Sequence, residues 1–499
     1  MSPAWLLLSF WLGTFAAASP QAEELVRKSQ QAKQAMAAGR YEEAATLYQE
    51  LVRALPGDAG MVFNLGLARY SAGRHREAAA DLATAVKLDP KLARGWLLLG
   101  MSRLKLEDPA AAVGPLERAV ALEPANPIAR LELGDALLKL GRHGEAAGHL
   151  ERLTELTPAD PRAWYGLGSA YLALARAAFE QLEATAPGSA YWYALVARSR
   201  AEQQQYRSAF YFYRQALALR PDFRGLHAAL AEIYRRTGRE DWAAVELERE
   251  RALGPPDCSS ALFECRFARD DFRGVLNLAS RRQDPEALYW RSRAASTLAL
   301  KALGRLEQLG PSPYRHRVAA EALRLEERHA EAVREWRAAL KLAPGDAALQ
   351  LELARSLMAN QEHKAALEVL DELVQSRPAW AEVHRLRGVA LLSLQQAAEA
   401  VAPLEKAVRL DPGSTAARAA LGRAYLQTDR PAEAIPHLEA AAAADDDGNL
   451  HYLLAQAWLR TGEREQAQAA FRRRQQILEA AKQRALEREE KHRITPPAP

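Results

Sequence analysis

The chain has 499 residues, 49% of them hydrophobic and 26% charged, which is an ordinary composition for a soluble globular protein. Its 67 Lys and Arg residues and 63 Asp and Glu residues leave a net charge of +4. A charge this small for the length gives no reason to expect nucleic acid or an anionic membrane as a partner.

The first 18 residues contain no charged side chain, and most of the run from Ala4 to Ala18 is apolar. Ala16 and Ala18 give the small-x-small pattern of a signal cleavage site, and the run is short for a membrane-spanning helix of about 20 residues. We therefore predict that residues 1–18 are a signal peptide, that cleavage occurs near Ala18, and that the chain is exported to the periplasm or secreted. Because the segment lacks the usual N-terminal Lys or Arg, an uncleaved anchor or a buried N-terminal helix remains the alternative.

Proline recurs with a step of 34 residues in three series along the chain. A fixed period of this length indicates an array of repeats, each of which buries its apolar face by stacking on its neighbours. The prolines are Pro56, Pro90, Pro124 and Pro158, then Pro221 and Pro255, then Pro344, Pro378 and Pro412.

Each 34-residue repeat can be numbered so that the recurring proline stands at position 32. In the repeat 93–126, apolar and small residues at positions 4, 7 and 8 and at positions 20, 24 and 27 follow helical spacing, which predicts two helices. Small residues such as Gly100 at position 8 and Ala112 at position 20 let these two helices approach closely. Pro124 ends the pair because proline lacks an N–H and biases the residue before it away from helical geometry.

These residues resemble the tetratricopeptide repeat (TPR) family, whose signature has the same length, the same small residues and the closing proline. The resemblance implies an all-α, right-handed α-solenoid, or superhelix, of antiparallel helix pairs in which the first helix of each pair lines a concave surface. Regular repeats are predicted at 25–58, 59–92, 93–126, 127–160, 190–223, 224–257, 313–346, 347–380, 381–414 and 415–448.

Two long helical patterns without an internal turn interrupt the period, from Trp164 to Ala186 and from Leu288 to Leu309. They are copies of one another offset by 124 residues, and we predict that they change the curvature of the superhelix. A shortened pair lies between them, with helices near 259–269 and 272–282. The predicted divisions are a signal peptide (1–18), a regular array (19–160), a fused-helix module with repeats and the shortened pair (161–284), a second such module with repeats (285–448), a last repeat with a capping helix (449–493) and a disordered tail (494–499).

Two cysteines are present, Cys258 and Cys265, and the pattern places both on one helix. Seven residues of helix rise about 10.5 Å, whereas the Cα atoms of a disulfide lie within about 7 Å. We therefore predict two small buried residues and no disulfide.

Chemical motifs give no indication of an enzyme. The eleven histidines are spread along the chain by the repeat period and form no cluster with metal-ligand spacing, and the sequence contains no HExxH, GxxxxGK[ST] or GxSxG motif. We predict no catalytic, cofactor-binding or metal-binding residue, and no cofactor.

Some TPR proteins hold a C-terminal carboxylate with polar residues at five positions of three consecutive repeats. Here only Asn64 fits that pattern, while Arg94 keeps the positive charge at another of the five positions. Neighbouring groove positions are apolar in the N-terminal repeats and rich in arginine farther on, which suits acidic segments. The candidate partner-binding residues are Phe63, Asn64, Leu67, Tyr70, Arg94, Leu97, Leu98 and Met101, followed by Arg317, Arg355, Arg385 and Arg423.

We therefore predict a non-enzymatic scaffold that binds protein or peptide segments in a concave groove. The same positions could instead be covered by the next helix or form a solvated face without a ligand. One alternative function is a structural subunit of an envelope secretion, pilus or polysaccharide-export complex, and another is an accessory that presents substrates to an enzyme.

Overall fold

The structure, a computed structural model, describes residues 20–497, with side chains from Glu23 onward. The predicted signal peptide, residues 1–18, lies outside the described residues. The first helices are α1 (Pro20–Ala37), α2 (Tyr41–Ala54), α3 (Ala59–Ser71), α4 (His75–Leu88), α5 (Ala93–Lys105), α6 (Pro109–Leu122), α7 (Pro127–Lys139), α8 (His143–Leu156) and α9 (Pro161–Thr185).

The helices that follow continue to Lys491, with a short 3₁₀ turn at Ala442–Ala444 after α24. They are α10 (Ala190–Glu202), α11 (Tyr206–Leu219), α12 (Leu226–Arg236), α13 (Glu240–Ala252), α14 (Leu262–Ala268), α15 (Phe272–Ala279), α16 (Pro285–Gln308), α17 (Pro313–Leu325), α18 (His329–Leu342), α19 (Ala347–Ala359), α20 (His363–Ser376), α21 (Ala381–Ser393), α22 (Ala397–Leu410), α23 (Thr415–Gln427), α24 (Pro431–Ala441), α25 (Asn449–Thr461) and α26 (Arg464–Lys491).

The chain forms two compact units, one extending to Ala173 and the other beginning at Leu174, so that the boundary falls within α9. Within each unit, consecutive helices pack as the pairs and stacks of an α-solenoid, which confirms the predicted fold class. No helix between residues 20 and 497 is both long enough and apolar enough to cross a membrane.

Close packing inside several pairs involves a glycine at position 8 and a leucine at position 24. A Cβ atom on Gly100 would lie 2.5 Å from Cγ of Leu116, and one on Gly422 would lie 2.5 Å from Cγ of Leu438. Both distances are far below van der Waals contact, so an alanine in these two pairs would require the facing leucine or helix to shift.

In several repeats, the side chain at position 4 donates a hydrogen bond to the closing proline of the preceding repeat. The Nε1 atom of Trp96 donates to the carbonyl oxygen of Pro90 at 3.0 Å, and Nε of Arg418 donates to that of Pro412 at 2.9 Å. Nε2 of His384 lies 2.9 Å from the same oxygen of its own preceding proline. Trp, Arg and His share an N–H that reaches this carbonyl, so three different side chains make the same contact in these repeats.

The two long helices that the sequence predicts are present as α9 and α16. Helix α16 packs against α10 in addition to its sequence neighbour α15, and the Tyr191 and Tyr289 rings meet at 5.5 Å. One continuous apolar core extends from Leu182 to Ala294. The stacking order is therefore locally altered in the second unit, whereas the predicted change in superhelix curvature stays a prediction.

The two cysteines form a disulfide, so the prediction of two unpaired residues is wrong. The shortened pair has shorter helices than predicted, and α14 begins only at Leu262. Cys258 lies before it in a turn in which the Asp257 carboxylate accepts hydrogen bonds from the Ser259 backbone N–H and hydroxyl, at 3.0 and 2.8 Å. This turn replaces the expected helical rise and brings the cysteine Cα atoms to 5.7 Å.

The segment after α26 also departs from expectation. The sequence predicts a disordered tail at residues 494–499, of which the structure describes 494–497. Ile494 packs against the apolar core of residues 182–294, and Thr495 accepts a hydrogen bond from Tyr234. The contacts that order this segment are made with residues far away in sequence. The Thr495 carbonyl oxygen accepts from Tyr234 of α12, and Ile494 packs on the core that α12 and its neighbours form.

Candidate functional site

The first candidate surface lies on α3 and α5, the first helices of two consecutive repeats. We define the apolar surface as Phe63, Leu67, Tyr70, Leu97 and Met101. All five are half-buried. Phe63, Leu67, Tyr70 and Met101 pack against a buried cluster that contains Leu82 and Leu99. The structure therefore keeps part of these four side chains accessible while the rest packs on the core.

Leu98 does not belong to this surface, although the sequence placed it there. Its side chain is only 9% exposed and belongs to the buried cluster with Leu99 and Val86. Position 6 of α5 faces the packing between neighbouring repeats, so an aliphatic residue at this position is drawn into the core.

Asn64 and Arg94, the two polar candidates, lie on the same pair of helices. Asn64 is half-buried and Arg94 is exposed. An amide both donates and accepts hydrogen bonds, and a guanidinium can bind a carboxylate with two parallel N–H groups. The pair can therefore satisfy the backbone and one acidic group of a bound segment.

Glu132 on α7 is a further polar residue of this region that the sequence reasoning missed. It is half-buried, and burial, followed by the nearby charge of Asp135, raises the pKa of its carboxyl above the ordinary value. Burial and the charge of Glu132 likewise raise the pKa of the Tyr70 phenol, which places the carboxylate near the apolar surface. The signal that could have found it is the register, since Glu132 occupies position 6 of its repeat, as Asn64 does in its own.

The second candidate surface lies on α17, α19, α21 and α23, the first helices of four later repeats. We define the arginine surface as Arg317, Arg355, Arg385 and Arg423. Arg355 and Arg423 are exposed, whereas Arg317 and Arg385 are half-buried. These residues do not form a uniformly positive groove, because the neighbouring carboxylates approach them closely.

Glu382 forms ion pairs with two residues of the arginine surface. Arg385 donates to its two carboxylate oxygens at 2.6 and 2.7 Å, and Arg355 from the preceding repeat reaches it at 3.4 Å. Burial alone would raise the pKa of Glu382, but the hydrogen bonds and charges of these arginines outweigh it and hold that pKa below its ordinary value. Arg355 also bonds Glu352 at 2.5 Å and Arg317 bonds Glu321 at 3.0 Å, so the surface alternates in sign.

A small cavity of about 210 Å³ adjoins the arginine surface. Its lining includes Glu382, Arg385, Asp411 and Ser414, and thus carries two carboxylates against one guanidinium. Among residues 23–497, no group of three or more His, Cys, Asp or Glu side chains could hold a metal ion.

Comparison with known families gives matches along most of the array. One profile described as tetratricopeptide repeat matches residues 29–93, 97–161 and 141–190, and a second profile with the same description matches residues 323–389 and 391–449. Together they cover more than half of the chain. A comparison with curated proteins gives no match.

Several solved structures are similar to the chain. The APC/C hetero-tetramer Cut9–Hcn1 is 13% identical over 91% of this chain and 93% of its own, with a TM-score of 0.33. TTC0263, a thermophilic TPR protein of Thermus thermophilus, is 19% identical over 36% and 98%, with a TM-score of 0.29. YrrB, described as a TPR protein with an unusual peptide-binding site, is 19% identical over 44% and 93%, with a TM-score of 0.28.

Proposed function

The chain belongs to the tetratricopeptide repeat family, and from this premise we propose that it is a non-enzymatic scaffold that binds extended segments of partner proteins. The observation that carries the proposal is the apolar surface of α3 and α5. Five half-buried large side chains on the first helices of adjacent repeats leave apolar area that a partner segment can cover, and continuous apolar area of this kind commonly marks an interaction site.

The chemistry around the apolar surface defines the segment that fits it. Apolar side chains of the partner would pack on Phe63, Leu97 and Met101, where burial contributes about 25 cal/mol per Å². Asn64 would hydrogen-bond the partner backbone, which is the interaction that makes recognition of an extended chain possible. A backbone or side-chain N–H of the partner would donate to the half-buried Glu132 carboxylate and offset the cost of its burial.

The arginine surface would make a second, weaker contact. Because Glu382 and Glu352 already pair Arg385 and Arg355, an acidic partner must displace an existing ion pair instead of meeting free guanidinium groups. A segment with alternating charges matches this surface better than a uniformly acidic one does.

We further propose that the chain acts outside the cytoplasm, as the charge-free N-terminal segment suggests. The disulfide between Cys258 and Cys265 supports this location, since disulfides persist in oxidising compartments and are rare in the cytosol. Alkylation of intact cells before lysis, followed by mass spectrometry of the chain, should find both cysteines protected from the reagent. Two alkylated cysteines would contradict the location.

The test of the binding site is a combined variant, Phe63→Ser, Leu97→Ser, Met101→Ser and Asn64→Ala, compared with the natural chain in pull-downs with mass spectrometry. Partners that depend on the surface should be lost. The matched control replaces three exposed apolar residues at helix ends, Leu55, Leu88 and Leu140, with Ser. Thermal unfolding must first show that both variants fold, and unchanged partner recovery by the surface variant would then contradict the proposal.

A further inference from the structure

A second cleft lies at the turn edge of α10–α13, where the segment after α26 contacts the array. We call residues 493–497, Arg-Ile-Thr-Pro-Pro, the tail segment. We define the tail cleft as the surface of Tyr206, Tyr211, Tyr234, Arg239 and Trp242. Four of these five residues lie on second helices or turns of two repeats, and the cleft is therefore distinct from the first-helix apolar and arginine surfaces.

The strongest polar contact is between Tyr234 and the tail segment. The Tyr234 hydroxyl donates to the carbonyl oxygen of Thr495 at 2.7 Å, although the Tyr234 side chain is otherwise fully buried in α12. The ring is held in place by Phe210 and Trp242, whose centroids lie 5.7 and 5.5 Å away. A rigid ring thus presents one hydroxyl to an extended backbone.

Repeat register shows why this hydroxyl is available. Tyr234 stands at position 11 of its repeat, and so does Tyr425, whose hydroxyl donates to Glu405 at 2.9 Å. Glu405 occupies position 25 of the preceding repeat, whereas the residue at position 25 before Tyr234 is Arg214. A guanidinium cannot accept a hydrogen bond, so the Tyr234 hydroxyl finds its acceptor outside the array.

Apolar and aromatic contacts surround this hydrogen bond. The His492 ring lies 4.6 Å from that of Tyr211 and 5.8 Å from that of Phe212, and Ile494 packs against the apolar core of the middle repeats. Between the tail segment and the cleft, a cavity of about 1170 Å³ remains, lined by Tyr206, Arg239 and Trp242 as well as Pro496. A cavity of this size leaves room for larger groups than this segment carries.

We propose that the tail cleft is a binding site for extended segments in which an aliphatic residue, any one residue and two prolines follow in that order. The tail segment is its resident occupant. Proline favours the extended polyproline conformation and donates no backbone hydrogen bond, so the recognition relies on aromatic contact and on a carbonyl acceptor. The cleft supplies both. A partner segment of the same chemistry binds by displacing the tail segment.

Tethering sets how strongly the resident occupant competes. The segment follows α26 almost directly, and even a short flexible linker gives a local concentration of about millimolar order, so a free peptide meets an occupied cleft in the natural chain. Loss of the Ile494 anchor should open the cleft without altering the repeats that form it. The tail cleft does not share residues with the apolar surface. If the tail cleft binds no peptide, the proposed function of the apolar surface is therefore unaffected.

The experiment measures fluorescence anisotropy of a labelled, amidated peptide with the sequence of residues 491–497, Lys-His-Arg-Ile-Thr-Pro-Pro, added to the full chain. We expect the Ile494→Asp chain to bind it at least about ten-fold tighter than the natural chain, because the resident occupant is released. A peptide of the same composition in scrambled order should bind neither the natural chain nor the Ile494→Asp chain. Absence of binding to a folded Ile494→Asp chain would overturn the proposal.

A second pair of variants tests the hydroxyl itself. In the Ile494→Asp background, Tyr234→Phe should weaken peptide binding by about three- to ten-fold, the usual effect of one lost hydrogen bond. Tyr425→Phe is the matched control, since it removes the hydroxyl of a buried tyrosine at the same repeat position that donates to Glu405 instead. Equal peptide affinities for the two tyrosine variants would show that the Tyr234 hydroxyl does not recognise the segment.

Discussion

The hydroxyl of Tyr234 donates a hydrogen bond to the carbonyl oxygen of Thr495, 261 residues farther along the chain. The equivalent hydroxyl of Tyr425 donates to a glutamate of the preceding repeat, Glu405. The difference follows from one residue, because Arg214 stands where the other repeat has Glu405. An acceptor supplied inside the array should therefore compete with Thr495.

Arg214→Glu tests this competition. We expect the new carboxylate to accept from Tyr234 and to release the tail segment, so that trypsin cleaves after Arg493 about three- to ten-fold faster under native conditions. The cleavage rate reports how often the tail segment leaves the cleft, provided that release and rebinding are faster than cleavage. Arg214→Met, which removes the charge without adding an acceptor, should cleave at the natural rate, and equal acceleration in both variants would contradict the explanation.

Gly100 and Gly114 lie in the same repeat and should respond in opposite ways to alanine. A Cβ on Gly100 meets Leu116 at 2.5 Å, whereas one on Gly114 in α6 meets nothing within 4 Å. Gly114→Ala should raise stability by about 0.5–1 kcal/mol through helix propensity, and Gly100→Ala should lower it, since overpacking costs about 1–3 kcal/mol. Urea unfolding followed by circular dichroism measures both, and a stabilised Gly100→Ala chain would contradict the close packing.

The disulfide of the shortened pair should contribute measurably to stability. Closing a loop as short as Cys258 to Cys265 removes unfolded-state entropy worth about 2–3 kcal/mol at 25 °C. Dithiothreitol should therefore lower the unfolding midpoint of the natural chain. The chain with Cys258→Ser and Cys265→Ser should unfold at that lower midpoint with or without the reductant; a natural chain insensitive to reductant would contradict the prediction.

Glu132 should make stability depend on pH in a defined direction. Burial raises its folded-state pKa above the ordinary 4.5, so the folded chain binds this proton more tightly than the unfolded chain does. The resulting stability is fully present below pH 4.5 and is lost as the pH rises through the raised value. Glu132→Gln should therefore unfold at a higher temperature than the natural chain at pH 7, with the difference disappearing below the ordinary glutamate pKa. A variant less stable at pH 7 would contradict this assignment.

Glu382 should control the affinity of the arginine surface for acidic peptides. Glu382→Gln removes the carboxylate that pairs Arg355 and Arg385, so a labelled hexaglutamate peptide should bind several-fold tighter, with the gain lost in about 0.5 M salt. Glu399→Gln changes the net charge equally on α22, the second helix of that repeat, and should leave binding unchanged. Equal gains in the two variants would show a general charge effect.

The pKa of Glu382 gives the corresponding pH dependence of the fold. The hydrogen bonds from Arg385 and Arg355 lower this pKa in spite of burial, so the ion pairs stabilise the chain above the ordinary glutamate pKa. That contribution is lost as the pH falls through the lowered folded-state value. Differential scanning calorimetry should show the natural chain and Glu382→Gln converging in stability at acid pH, and a constant difference would contradict it.

The sequence alone was sufficient to predict the helix pairs, because the repeat period depends on local rules. Helical spacing, the small residue at position 8 and the closing proline act within one repeat or between neighbours, and they recur along the array. The long helices α9 and α16 could be predicted for the same reason, since each lacks the turn that would divide it. Residue patterns of this kind also indicated the apolar side chains of α3 and α5.

The tertiary structure decided what depends on contacts between distant residues or on a shift of one turn. The late start of α14 made the disulfide possible, and the packing between repeats buried Leu98. The Glu382 carboxylate paired both Arg385 of its own helix and Arg355 of the preceding repeat. The tail cleft is the clearest case. The period specifies the position of Tyr234 but not its acceptor, because a hydrogen bond between residues 261 apart depends on how the helices between them are stacked.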